Sequence, residues 1–304
     1  MTNFAITGLE MMGESIYRDY EVGGCRFRIE GPELVKAVER MEGFEPFLIN
    51  GGRQSDFRVR MQAPDADVLG GKALYTCMAD RVNTVFYEAA VGYRLEMEHE
   101  TGARLCLWTR QNDRVLYLSG MLAAQMLRFA LWVGYGLMTV RHYRIAIHGS
   151  CIVKDGKAFL FLGESGTGKS THTRLWREYI PGSTLLNDDS PIIALEGDDV
   201  WIYGSPWSGK TPCYRAERFS LCGCIRLSQA AFNRMERLTA LQAYAAIHPS
   251  CPPMFAYTDA LYDGISATLG RMLPRVAFYR LACLPDGDAA WLAFNTLREN
   301  TEFC

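Results

Sequence analysis

The stretch Gly163-Glu164-Ser165-Gly166-Thr167-Gly168-Lys169-Ser170 constrains this chain more than any other. It satisfies the phosphate-loop pattern G-x-x-x-x-G-K-[ST] at every fixed position. Such a loop works only between a strand and a helix. Its glycines let successive backbone N–H groups turn inward without Cβ clashes, and the helix that follows adds its positive end. The flanks meet that demand: residues 159–162 form a continuous apolar run, and residues 169–179 read as a helix that stops before Pro181-Gly182. The spacing predicts that Gly163, Glu164, Ser165, Gly166, Thr167, Gly168, Lys169, Ser170 and Thr171 hold phosphates. Lys169 is then the group that reaches the β- and γ-phosphates, and the Ser170 hydroxyl is a ligand for Mg²⁺.

A phosphate cradle becomes a catalyst only with an acid that holds the metal or takes a proton. Leu185-Leu186-Asn187-Asp188-Asp189 brings two adjacent carboxylates to the end of an apolar segment. One suits Mg²⁺ and the other a general base, and two neighbours in sequence do not reveal which is which. An Asn-Asp-Asp run is also a common way to end a strand. His148 lies in the apolar run Ile145-Ala146-Ile147-His148-Gly149-Ser150, where a lone histidine is more often a core residue, although Gly149 leaves room for a ligand. The turn-rich segment from Gly204 to Lys210 offers a cation, Lys210, with Arg215 beyond it. Either could stabilise transferring charge or be a solvated base on an exposed turn.

The remainder of the chain is read around this unit. At 304 residues it has room for one or two domains, and 49% apolar with 22% charged residues is ordinary for a globular protein. A net charge of -2 without basic blocks argues against nucleic acid as a partner. Residues 1–13 carry no signal-peptide pattern. Residues 121–140 are apolar enough to raise the question of a membrane span, but Gln125 and Arg128 within them predict a core helix. Ten cysteines, scattered apart from Cys222 and Cys224 and without zinc-site spacing, read as free thiols of a cytoplasmic protein.

Residues 1–120 predict a β-rich domain of antiparallel hairpins (25–30, 57–61, 85–91, 93–99, 105–109 and 115–118) with one helix over 33–41. Residues 121–304 predict the nucleotide-binding domain, the boundary falling between 120 and 145. Its expected elements are strands over 145–153, 158–162 and 184–186, a hairpin of 191–195 with 200–203, helices over 238–247 and 259–273, and a strand over 276–283. The fold class expected is α+β.

Taken in order, His148-Gly149, the loop from Gly163 to Ser170 and Asp188-Asp189 resemble the catalytic core of the HPr kinase/phosphorylase family. That family shares its nucleotide-binding fold with the phosphoenolpyruvate carboxykinases, so the resemblance implies a P-loop domain built on a mixed sheet. It covers roughly residues 140–210. It implies that Lys169 binds the transferred phosphoryl group, that Ser170, with Thr171, binds metal, that Asp188 is the base with His148 beside it, and that Asp189 is the metal-side carboxylate. It places Lys210 in a substrate- or phosphate-sensing segment, and it implies a tendency to form homo-oligomers.

The chain departs from that family at Thr171, where glutamate is usual, and lacks its C-terminal HPr-contacting signature. It is similar to compact paralogues of that family. The function expected is a Mg²⁺-dependent kinase using ATP, another nucleotide or pyrophosphate. The acceptor is a hydroxyl of a small molecule, a peptide or a protein serine. The alternatives are a nucleotide-binding regulatory module and a slow nucleotide hydrolase without an acceptor.

Overall fold

Alternation of apolar and polar residues builds the first part of the chain into strands, as β2 illustrates: Cys25, Phe27 and Ile29 point inward, and Arg26, Arg28 and Glu30 stay half-exposed. A computed structural model describes residues 16–51, 54–209 and 211–299. The chain divides into two compact units, the first ending at Met138 and the second beginning at Thr139.

The first unit contains β1 (Tyr17–Val22), β2 (Cys25–Glu30), α1 (Pro32–Glu39), β3 (Leu48–Ile49), β4 (Phe57–Met61) and α2 (Ala66–Leu69). It continues with β5 (Lys72–Ala79), β6 (Val82–Ala89), β7 (Gly92–His99), β8 (Arg104–Arg110), β9 (Val115–Gly120) and α3 (Ala124–Thr139). The nine strands form one sheet in the order β3-β1-β2-β4-β9-β8-β7-β6-β5. β5 to β9 are an antiparallel meander, as expected, but β4 lies parallel to both β2 and β9. The sheet is therefore mixed rather than a set of hairpins. The chain leaves β2 through α1 before returning as β4, and such a crossover is what parallel pairing requires. Met126, Leu127, Ala130, Leu131, Val133 and Tyr135 bury much of α3. At Gly134, a Cβ would come within 2.7 Å of the Leu116 side chain on β9, so α3 lies close against its own sheet. No helix among the described residues is long and apolar enough to cross a membrane.

The second unit contains β10 (Arg144–Ala146), β11 (Gly149–Lys154), β12 (Lys157–Leu162), α4 (Lys169–Tyr179), β13 (Thr184–Asp189), β14 (Ile192–Glu196) and β15 (Asp199–Tyr203). These are followed by β16 (Arg218–Gln229), β17 (Arg234–Arg237), α5 (Ala240–Ile247), α6 (Asp259–Met272), β18 (Ala277–Cys283) and α7 (Gly287–Glu299). β12, β16 and β18 run parallel, while β11 is antiparallel to both β12 and β13. The carboxyl ends of β12, β13, β16 and β18 thus share one edge of the sheet. Over one face, Leu175 and Trp176 of α4 and Ala290, Ala293 and Leu297 of α7 join Phe159, Phe161, Ile225 and Leu281 in a single core. Burial of each large side chain there contributes about 1.5–3 kcal/mol.

Two large mixed sheets and seven α-helices among the described residues make this a mixed α/β protein, compatible with the expected α+β class. The strand expected over 145–153 is split at His148. β10 pairs with β14, β11 pairs with β12 and β13, and between them the His148 N–H donates to the Ser250 carbonyl at 2.7 Å. Cys25, Cys77, Cys106, Cys151, Cys213, Cys224, Cys251 and Cys283 are free.

Candidate active site

The site begins where β12, apolar along its length, runs out at Leu162. Gly168 caps α4 with φ of 103°, a left-handed conformation that a residue with a Cβ adopts only under strain. Its neighbour Gly163 has no room for a side chain, since a Cβ there would lie 2.3 Å from Thr167 Oγ1. α4 then buries Lys169, His172, Thr173, Leu175 and Trp176, a helical stripe that pins it to the sheet. It ends at Ile180, which is extended, just before Pro181.

Lys169 folds back over the loop it belongs to. Its Nζ donates to the carbonyls of Gly163 at 2.8 Å and Glu164 at 3.1 Å, and lies 3.0 Å from His148 Nε2. Burial lowers its pKa, Asp189 and Asp188 raise it, and Arg226 adds to the lowering. Ser170, one residue on, donates its hydroxyl to Asp188 Oδ1 at 3.1 Å.

The two carboxylates lie where β13 ends beside Gly149 and Ser150 of β11. Being adjacent on a strand, they part company. Asp188 is 4% exposed and turns to Ser170. The Asp189 side chain is 43% exposed, with Oδ1 3.0 Å from His148 Nδ1. The resemblance implied His148 beside Asp188, with the order inside the pair left open by the sequence; here His148 lies beside Asp189 and Ser170 beside Asp188. Asp189 also has φ of 135°, a conformation that costs a non-glycine residue about 1–3 kcal/mol. It is held there by a bridge to Ser208 and by the Gly209 N–H, which donates to the Asp188 carbonyl at 2.6 Å.

That loop is fastened by Asn187, which is fully buried. Its Nδ2 lies 3.2 Å from the Ser205 carbonyl and 3.4 Å from that of Trp207, and its Oδ1 accepts from the Ser190 N–H at 2.9 Å. Lys210 lies outside the described residues. Arg215 is directed away from the carboxylates: it donates to Thr184 Oγ1 and the Leu185 carbonyl near the start of β13 and pairs with Glu217.

The structure therefore brings His148, Lys169, Ser170, Asp188 and Asp189 together at one end of the sheet. Sequence reasoning missed Arg226, whose backbone neighbours Leu162 and whose Nη2 is 3.7 Å from Glu164 Oε1. The signal was available: an arginine interrupting the apolar run Leu221 to Leu227 is costly unless it serves something. Also missed was a cavity of about 360 Å³ beside the loop, lined in part by Gly166, Gly168, Thr171 and Gln229.

No family model matches the chain, and no curated protein matches it. Among solved structures, the Hpr(Ser) kinase/phosphatase from Coxiella burnetii aligns over 51% of this chain and 88% of that one, at 13% identity and a TM-score of 0.31. A likeness that slight carries neither fold nor activity across, so function has to be argued from the site itself.

Proposed function

We propose that this chain is an HPr-kinase-like phosphotransferase. It moves the terminal phosphoryl group of a nucleoside triphosphate, with Mg²⁺, to a hydroxyl of a small molecule, a peptide or a protein serine. The observation that carries the reading is the convergence of three separate segments through pairwise contacts, Lys169 with His148, His148 with Asp189 and Ser170 with Asp188.

The donor set suits Mg²⁺. No group of three or more His, Cys, Asp or Glu among the described residues is placed to cage a metal. Mg²⁺ typically takes one or two protein oxygens and fills its octahedron with water and substrate phosphate. Ser170 and Asp188 would hold it. When bound, it neutralises charge on the β- and γ-phosphate oxygens.

The remaining roles follow from exposure and tautomer. An ammonium donating to His148 Nε2 requires that nitrogen to be unprotonated, so Nδ1 carries the hydrogen and donates it to Asp189. As Lys169 moves to the phosphate, Nε2 becomes the open acceptor. The substrate O–H bond breaks and its proton passes to Nε2. The O–P bond forms as the β,γ-bridging P–O bond breaks, and a nucleoside diphosphate leaves. Asp189 stabilises the imidazolium. Asp188 is too buried and too engaged with Ser170 to meet an acceptor, so the geometry favours exchanging the roles that the resemblance implies for the two aspartates. Arg226 is a second cation beside the loop for charge developing on the transferred group.

The test is turnover of Mg²⁺-ATP with a panel of hydroxyl amino acids and peptides. Phosphorylated product that disappears in Lys169→Ala supports the reading. Phosphate release without an acceptor points to a hydrolase, and nucleotide binding without turnover to a regulatory module; either contradicts it.

A further inference from the structure

The ammonium of Lys169 has no donor to spare. It carries three N–H bonds. Three acceptors take them: the Gly163 carbonyl at 2.8 Å, the Glu164 carbonyl at 3.1 Å and His148 Nε2 at 3.0 Å. A phosphate oxygen therefore gains a bond from Lys169 only by displacing one of the three.

The three acceptors differ in where they belong. Both carbonyls are part of the phosphate loop, so an ammonium drawn toward a phosphate seated in that loop stays beside them. The bond to Gly163 is also buried, and breaking it would strand a carbonyl away from water. His148 belongs to another segment, between β10 and β11, and its side chain is 44% exposed, so solvent or substrate can replace Lys169 there. His148 is the partner that Lys169 gives up.

That exchange matters because the imidazole has a single lone pair to offer. Nδ1 donates its hydrogen to Asp189 Oδ1, which leaves Nε2 as the acceptor, and Lys169 occupies it. While the bond lasts, Nε2 takes no proton from an acceptor hydroxyl. We propose that Lys169 gates the base: the donor's phosphate draws Lys169 off His148, so an acceptor meets a competent base only after the donor has bound. The gate rests on the phosphotransfer reading above and adds a compulsory donor-first order to it.

Diethylpyrocarbonate acylates an imidazole through its free lone pair, so its rate at His148 reads the gate without any acceptor substrate. The rate would be followed by peptide mass spectrometry at about pH 8, where an ordinary histidine is unprotonated. The exposed His142 of the same chain serves as the reference. The samples are the wild type, the wild type saturated with Mg²⁺-tripolyphosphate, and Lys169→Met, with calorimetry to verify saturation and thermal unfolding to verify the fold. Relative to the wild type alone, His148 should react about tenfold or more faster in Lys169→Met, and about fivefold or more faster with tripolyphosphate bound. Equal rates in the wild type and a folded Lys169→Met would overturn the gate. So would an unchanged or slower rate with tripolyphosphate bound, since Lys169 would then have released a loop carbonyl instead; this comparison needs only the wild type. Failure of tripolyphosphate to bind at all would overturn the phosphate site, and the gate with it.

Discussion

The hydroxyl of Ser170 donates to Asp188 Oδ1 at 3.1 Å, joining the first turn of α4 to the end of β13. The bond selects between two carboxylates that neighbour each other in sequence. It leaves Asp189 to His148, at 3.0 Å and partly exposed, and on the proposed function the metal then falls to Asp188 and the proton to the His148–Asp189 pair.

Asp188→Asn and Asp189→Asn should accordingly fail in different ways. The first should raise the Mg²⁺ concentration needed for half-maximal turnover by about tenfold or more. The second should lower kcat by about 100-fold or more and leave the Mg²⁺ requirement unchanged. Steady-state kinetics over a Mg²⁺ series distinguishes them, and the opposite pattern would return the base to Asp188.

Asn187→Ala should remove the fastening of the segment that holds Asp189 in its left-handed conformation. The Ser190 N–H and the Ser205 carbonyl lose their partner inside the protein, a loss of about 1–3 kcal/mol in urea unfolding. Turnover should fall with nucleotide affinity nearly intact, because the cradle lies elsewhere. Unchanged stability and kcat would show that the segment is held by other means.

His172 gives the second unit a pH-sensitive element. Burial lowers its pKa to about 4, and its Nε2 accepts a hydrogen bond from Trp176 Nε1 at 3.2 Å, which a protonated ring cannot do. The unfolded chain, with an ordinary histidine near 6.5, takes up the proton first. This contribution is complete above pH 6.5 and is lost as the pH falls through the window to about 4. Between pH 7 and pH 4.5 the wild type should lose about 2 kcal/mol more than His172→Gln in urea unfolding. Equal losses would mean that His172 is not buried neutral.

Much of the site was legible because its chemistry is local. The phosphate loop, the helix over 169–179 and the hairpin at Asp155-Gly156, both of which adopt positive φ, follow from glycine positions and periodicity within a few residues. What stayed hidden was set at a distance. The break at His148 exists because β10 and β11 choose different partners. The parallel placement of β4 depends on β9, far along the chain, and β5 is an edge strand whose mostly exposed side chains leave no alternation to read. The split between Asp188 and Asp189 depends on Ser170 and His148, which no spacing within β13 reveals. The long strand β16, with Arg226 and the wall of the cavity, was missed although its apolar run was in view.

On the proposed function, the loop from Gly163 to Ser170 binds a metal-complexed nucleotide through Lys169. This is tested most directly by calorimetric titration of Mg²⁺-ATP and Mg²⁺-GTP into the wild type and Lys169→Ala, with thermal unfolding of both proteins as a check on their fold. Binding to the wild type should depend on Mg²⁺ and weaken about 100-fold or more in the variant, with unfolding temperatures nearly equal. Absence of binding to the wild type, or equal affinity in the variant, would contradict it.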